Sequence, residues 1–498
     1  MDNNSDSIIS IGKEVECEDL FAINIPVERP PAEQPECNEL FDININILAE
    51  LPPAEWSECC IYRVPNKLRE VNIEAYTPKL VSIGPFHHRG KELRYTEKKM
   101  HKLRYLKAFL DRTGKSHEDL LKIIQDDEEK IRHCYAEDCG LKSNNNFAKM
   151  ILLDAIFIIE LFRRTKPWRP ENGENDENDE SDYIVNKPWL ANGIRLDLIL
   201  LENQLPFFVL EKLYMFAGPD YHRAQKGGKN KKVTFLELSI NYFSVYYSNL
   251  ADKQLPNEFN IEEVKHFTDL IRHVLCSGPS LTMKHKGDLD SRICATKLDD
   301  AGLKFNAVQN RHLLEITMYS NLGGCPCFNL SWLLSWLPFL NKPFPRLERM
   351  QCILEFPPIV IDNTTEAFFR NLIALEQCHY PSKTYICSYV ALLDYLIDTE
   401  KDVDLLVQKK VIVNNIGSNQ AVADAINKLC LEIVVDQSCY SDLGTDINKY
   451  SENHWNRIMA TMKSEFYCNF WRGTATTVAL VIMLYQFWGF LRPFIFKK

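Results

Sequence analysis

The chain runs to 498 residues, 45% apolar and 25% charged, a length that predicts about three domains and a composition that lets most of it bury a core. Its net charge of -10 is concentrated in residues 171–182 (ENGENDENDESD), which carry seven acidic side chains and no basic one, so the rest is nearly neutral. That argues against nucleic-acid binding by phosphate neutralisation, and sixteen cysteines without one CxxC pair suit neither a zinc site nor a disulfide framework.

In chain order, the first 58 residues read as a disordered, acidic, proline-bearing tail. It holds a duplication: ECEDLFAINI from Glu16 is echoed by ECNELFDINI from Glu36, and Pro-Pro-Ala-Glu follows at Pro30 and again at Pro52. Two copies are too few for a solenoid. The opening lacks a basic n-region and an apolar h-region, so no cleavable signal peptide is expected. The folded body is expected to begin near Cys59. Residues 75–83 (AYTPKLVSI) predict a short extended segment closed by a Gly84-Pro85 turn. Residues 94–110 predict a helix, with Met100, Leu103, Lys107 and Leu110 at helical spacing. Between 89 and 107 there are eight Lys or Arg against two Glu. This is either a solvated face answered by the acidic run Asp126-Asp127-Glu128-Glu129, or a surface for anionic lipid.

Residues 147–162 (FAKMILLDAIFIIELF) are apolar nearly all round and predict a central core helix. The acidic run 171–182 predicts a disordered loop, and residues 226–232 (KGGKNKK) an exposed one. Residues 194–213 predict two helices meeting at Pro206, a residue that suits the first turn of the second. Further helices are expected over 235–247, 261–274, 366–376, 385–399, 420–435 and 453–466. Residues 473–491 (GTATTVALVIMLYQFWGFL) hold nineteen residues without a charge between Arg472 and Arg492. At about 1.5 Å per residue they reach about 28 Å, enough for a transmembrane helix, and Trp471, Tyr485 and Trp488 suit its interfaces. The expected arrangement is single-pass and tail-anchored, in the plasma membrane or endoplasmic reticulum, with a cytosolic body and reduced, mostly buried thiols.

From Cys60 the blocks CIYRVPNKLREVNIEAYTPKLVSIGPFHH, IRHCY, FAKMILLDAIFIIELF, DLILLENQLPFFVLEKL, ATKLDDAGLKF, FFRNLIALEQC and SYVALLDYLIDTEKDVDLL follow in order, closed by the C-terminal apolar segment. Over about residues 59–491 the chain resembles the plant family known as domain of unknown function 247. The resemblance implies a largely helical, plant-specific, membrane-associated protein. Some grass members are implicated in self-incompatibility, which by analogy makes recognition a role to weigh here. One stretch departs from the family pattern. Residues 323–350 (GGCPCFNLSWLLSWLPFLNKPFPRLERM) read as an atypical insertion, either membrane-touching or a misjoined exon.

Catalytic signatures fail on inspection. Gly114-Lys115-Ser116 lacks the upstream glycine of a phosphate loop, where Phe109 stands, and His117-Glu118 lacks a second histidine, where Leu121 stands. The best remaining constellation is polar residues inside apolar blocks: His87 and His88 after a turn, with Asp154, Asp197, Glu202, Asn203 and Gln204. They suit acid–base or metal chemistry, or else a structural network that satisfies loop backbone. The sequence as a whole predicts a mainly α body with a few short strands, 59–466, and one C-terminal transmembrane helix. The expected function is protein interaction, with a membrane and a protein partner, no nucleic acid and no cofactor. An enzyme using His87 or His88 with the buried carboxylates, and a peripheral lipid binder, are the alternatives.

Overall fold

The structure, a computed structural model, describes residues 59–88, 96–137, 144–165, 182–218, 221–222, 231–247, 263–278, 281–285, 293–320, 352–454, 456–458, 461 and 470–495. The expected tail (1–58), the acidic run up to residue 181, the insertion (323–350) and most of the expected helix 453–466 lie outside these.

Helix ends follow from local chemistry. After α1 (Asn66–Val71) and a 3-10 turn (Ile73–Tyr76) comes α2 (Thr96–Thr113). Gly114, at φ 63°, closes it, and the Ser116 side chain opens α3 (His117–Asp126) by accepting the Asp119 N–H. The Gly-Lys-Ser sequence is therefore punctuation between two helices. α4 (Glu128–His133), α5 (Asn144–Arg164), α6 (Pro188–Asp197) and α7 (Phe207–Ala217) follow. α8 (Phe235–Tyr242) starts at a capping box formed by Thr234 and Glu237, and α9 (Phe267–Cys276) at the side chain of His266. Then come α10 (Ala295–Asp300), α11 (Thr365–His379), α12 (Tyr385–Leu396), α13 (Glu400–Gln408), α14 (Asn419–Leu429), α15 (Ser441–Glu452) and α16 (Phe470–Ile495).

The described body is mainly helical with a few short strands, as its patterning predicts. α5 packs against α2, α3, α7 and α8, which is why its residues are apolar nearly all round. The Phe162 ring lies 4.1 Å from Tyr242, 5.2 Å from Phe267, 5.6 Å from Phe243 and 5.8 Å from Phe235. Each buried aromatic or aliphatic side chain here contributes about 1.5–3 kcal/mol. A second layer centres on α11, which packs against α9, α12 and α14, while α13 joins α14 to α10. Val64, Leu68, Ala75 and Tyr76 reach α11 through Leu201, Ala374 and Leu375.

The strands are brief. β1 (Tyr221–His222) pairs antiparallel with β2 (Lys231–Lys232), and β3 (Lys284–His285) with β9 (Gln437–Ser438). β4 (Lys304–Ala307), β5 (Thr317–Ser320) and β6 (Cys352–Phe356) form a sheet ordered β4-β6-β5, parallel then antiparallel. β7 (Ile359–Ile361) pairs parallel with β8 (Ile412–Asn414).

Several expectations are corrected. The helix expected over 94–110 is found as α2, with Tyr105 and Phe109 buried, Leu110 packed against the core, and Met100 and Leu103 exposed. The acidic run answers other partners: Asp127 meets Lys212 at 2.5 Å and Glu128 meets Arg132 at 2.8 Å. In α2, Lys102 pairs with Asp154 and Arg112 with Glu160. Residues 194–213 are not two abutting helices, because α6 ends at Asp197 and residues 198–206 are non-helical. Pro206 is the cap of α7, not a residue of its first turn. Asp182, the last residue of the acidic run, is buried and accepts from Tyr105 and from the N–H groups of Ile184 and Val185.

Candidate functional site

Residues 77–83 form no strand, so their backbone groups need other partners. The loop 197–204 supplies them. Asp197 accepts the N–H of Lys79 at 2.9 Å, of Leu80 at 2.5 Å and of Val81 at 2.8 Å. Asn203 accepts the Ile83 N–H at 2.7 Å and donates to the carbonyls of Val81 and Asp197 at 3.0 and 2.8 Å. Gln204 donates to the carbonyls of Leu198 and Leu200 at 2.7 and 2.8 Å and accepts the Phe267 N–H at 3.0 Å. Asp154 accepts the Gly84 N–H at 2.9 Å and pairs with Lys102, which also donates to Ser82 O at 2.6 Å. Three polar side chains singled out in the sequence, Asp154, Asp197 and Asn203, thus fasten one extended segment to α5 and to the end of α6 with its following loop, while Gln204 ties that loop to the start of α9. Gly84 is tied into this clamp by shape. Its φ is +69°, and an added Cβ would lie 2.6 Å from Gln204 O.

Glu202 stands apart. Its carboxylate accepts the Val64 N–H at 2.7 Å, pairs with Arg69, and has Arg63 at 3.7 Å. His87 Nε2 lies 3.2 Å from Glu202 Oε2, off the line of a hydrogen bond. Burial works against the Glu202 charge, yet contact with His87, Arg69 and the Val64 N–H holds its carboxyl below the ordinary range. His87 and Glu202 are therefore brought together, while Asp154, Asp197 and His88 lie in other contacts. His88 is exposed, its N–H donating to Pro85 O.

A second polar group was missed from the sequence. His266 is fully buried, with Nε2 3.0 Å from Cys60 O and Nδ1 accepting the Asp269 N–H at 3.4 Å. Burial pushes its pKa down to about 4. Asp269 accepts from Tyr380 at 2.8 Å and from the Lys265 N–H at 2.9 Å, and lies 3.2 Å from His273. Although burial opposes its charge, His273 holds it down to about 2. Arg272 pairs with Glu376 at 2.9 Å and lies 3.9 Å over the Tyr380 ring, and Tyr62 meets His379 at 2.9 Å. The pattern His-x-x-Asp before an apolar run was the available signal, because it is a cap spacing.

These groups bond mainly to backbone and to each other. Among the described residues, no three His, Cys, Asp or Glu side chains are arranged to hold a metal ion. Two open clefts lie elsewhere, flanking the start of α11. One of about 330 Å³ is bordered by Arg195, Tyr246, Val360, Asp362 and Phe368. The other, of about 280 Å³, is bordered by Asp362, Glu366, Asp424 and Lys428.

Fold and clamp together define a helical protein whose buried polar side chains fasten loops, and whose described residues include a C-terminal helix long and apolar enough to cross a membrane by length and composition. A family model described as plant protein of unknown function, domain of unknown function 247, matches residues 61–485, and the chain belongs to that family. It is similar to the UPF0481 protein At3g47200 of Arabidopsis thaliana, 28% identical over 465 residues, which cover 87% of this chain and 86% of that one. A second UPF0481 protein of Arabidopsis thaliana, At3g02645, is 21% identical over 538 residues, covering 90% and 93%. No solved structure matches. The family expected from the order of the blocks is the family found.

Proposed function

We propose that this protein is a membrane-anchored interaction module, held by α16 and working through partner binding rather than catalysis. The observation that carries this is the surface of α16. From Val478 to Phe490, the side chains of Val478, Val481, Leu484, Tyr485, Phe487 and Phe490 are each more than half exposed, on all sides of the helix. In water such a surface is costly at about 25 cal/mol per Å², and a bilayer removes that cost. Interaction is favoured over catalysis because Asp154, Asp197, Asn203 and Gln204 are occupied by backbone and ion-pair contacts, leaving His87 and Glu202 as a lone pair without further acid–base partners of the original set.

The test uses the full chain and a version lacking residues 473–491, expressed in plant cells. The full chain should stay with membranes after alkaline carbonate washing, and the shortened one should be released. Cross-linking on intact membranes should then trap a partner on the body. Release of the full chain by carbonate would refute the anchor; absence of any cross-linked partner would refute the interaction module. Protease added from the cytosolic side reads orientation. A protected body carrying a glycan on Asn363, which is exposed in a sequon at the start of α11, would place it in a lumen.

A further inference from the structure

We propose that the open edge of β7 docks an extended acidic segment of a partner protein; this rests on the interaction function proposed above and names the chemistry of the partner. β7 is paired on one side. The Ile359 N–H donates to Val411 O at 2.9 Å, and Ile361 O accepts the Asn415 N–H at 2.8 Å. In a parallel ladder the residue between them turns its own N–H and C=O the opposite way. Val360 therefore presents one donor and one acceptor away from β8, and no hydrogen bond among the described residues uses either. The flanking positions are closed. Pro358 has no N–H, and the Asp362 N–H donates to the Thr365 hydroxyl at 2.9 Å. The free edge is one residue wide and can exchange two hydrogen bonds with an incoming strand.

The cleft of about 330 Å³ runs beside Val360, and no β8 residue borders it. One wall is the stacked pair Tyr246 and Phe368, with centroids 4.8 Å apart, which suits the apolar side chains that alternate along a strand. Arg195 borders the same cleft. Its Nε donates to Tyr242 O at 3.1 Å and its Nη1 to Asn192 Oδ1 at 2.7 Å, and it has no carboxylate partner among the described residues. A guanidinium has five N–H donors, so most of its capacity is left for an anion. Asp362, the acid bordering this cleft, already has its Oδ1 engaged by Thr364 and Thr365. An added strand fits all three features. Its backbone pairs with Val360, an apolar side chain meets Tyr246 and Phe368, and an Asp or Glu reaches Arg195.

The experiment selects a phage-displayed random octapeptide library on the purified full chain in detergent micelles, then titrates the enriched peptides. They should carry an acid beside alternating apolar residues. Val360→Thr should bind them like wild type, whereas Val360→Pro and Arg195→Gln should each bind about tenfold more weakly. Proline removes only an N–H that the fold does not use, at an edge position where it is tolerated. If circular dichroism shows that variant unfolded, N-methylating the paired residue of the peptide removes the same bond from the other side. Peptides that bind Val360→Pro and Arg195→Gln as tightly as wild type would overturn this site while leaving interaction through another surface intact. No enrichment at all would also overturn it, and cross-linking on membranes judges the broader function separately. A concentration-dependent dimer lost in Val360→Pro would overturn it too, by making a second copy the occupant.

Discussion

Asp197→Asn swaps one buried oxygen for an amide nitrogen and preserves the shape of the side chain, so its effect isolates what the carboxylate does. Native Asp197 accepts three backbone N–H groups, two on Oδ2 and one on Oδ1. Bonds to a charged acceptor are worth about 1.5–3 kcal/mol each, against about 1 for neutral ones. The amide keeps at best the pair from Leu80 and Val81 at neutral strength, and turns its own N–H₂ toward the N–H of Lys79. Weakening two bonds and orphaning a third costs about 3–4 kcal/mol. Relief of a negative charge at the C-terminus of α6 returns about 0.5, so the expected loss is about 3 kcal/mol. Urea titration of the full chain in micelles, followed by far-ultraviolet circular dichroism, measures it. A catalytic Asp197 would behave in the opposite way, with stability kept and an activity lost. A change smaller than about 0.5 kcal/mol would refute the clamp. His87→Gln is the companion control, since His87 Nε2 makes no hydrogen bond, and it should cost less than about 1 kcal/mol.

Gly84→Ala should destabilise by about 2–3 kcal/mol in the same titration, because its φ is +69° and its new Cβ would press on Gln204 O; a neutral result would contradict the backbone geometry. Acidification should unfold the body through His266. With a folded pKa of about 4 against about 6.5 unfolded, the unfolded chain takes the proton first. Stability therefore falls between pH 6.5 and 4, by up to about 3 kcal/mol. Asp269, held at about 2, adds its loss below pH 4. His273, raised by Asp269 despite burial, acts in the other sense, its contribution being full below pH 6.5 and lost as pH rises through its folded value. Thermal scans of His266→Asn, which retains a cap, should lack the limb from pH 6.5 to 4, and an unchanged limb would exclude His266 as its source. Cys59, Cys60, Cys134, Cys352 and Cys387 are buried and form no disulfide. Burial raises Cys59 and takes Cys352 up to about 12, so iodoacetamide at pH 8 should label them only after unfolding; equal rates in native and denatured protein would contradict that.

The sequence carried the large apolar signals well and the polar ones poorly. FAKMILLDAIFIIELF could be read as a core helix because no face of it is polar, and α5 is surrounded accordingly. At DLILLENQLPFF the sequence left two readings, chemistry or a network that satisfies loop backbone, and the structure shows the network: these residues replace the ladder that residues 77–83 lack, with partners that only the three-dimensional arrangement reveals. Pairing across more than a hundred residues, such as Asp197 with Leu80, leaves no local trace. α2 shows another limit: spacing marked the helix, but which of its residues are buried is set by packing against α5. His266 escaped although His-x-x-Asp is a cap spacing, because that spacing marks a helix start and not the burial of its histidine. The edge of β7 escaped for a different reason: its unused groups belong to the backbone, which every residue has.

In the sheet β4-β6-β5, Ser320 stands opposite Cys352. Thirty-one residues separate them in sequence, yet paired antiparallel positions lie only about 5 Å apart. The chain leaves and rejoins the sheet at a single doorway. Joining two such close ends by a longer flexible connection costs only about 0.6 kcal/mol per doubling of its length, and the register of the described strands is set by their own pairing. For a gene, such a doorway is where added or lost coding sequence would disturb the described strands least.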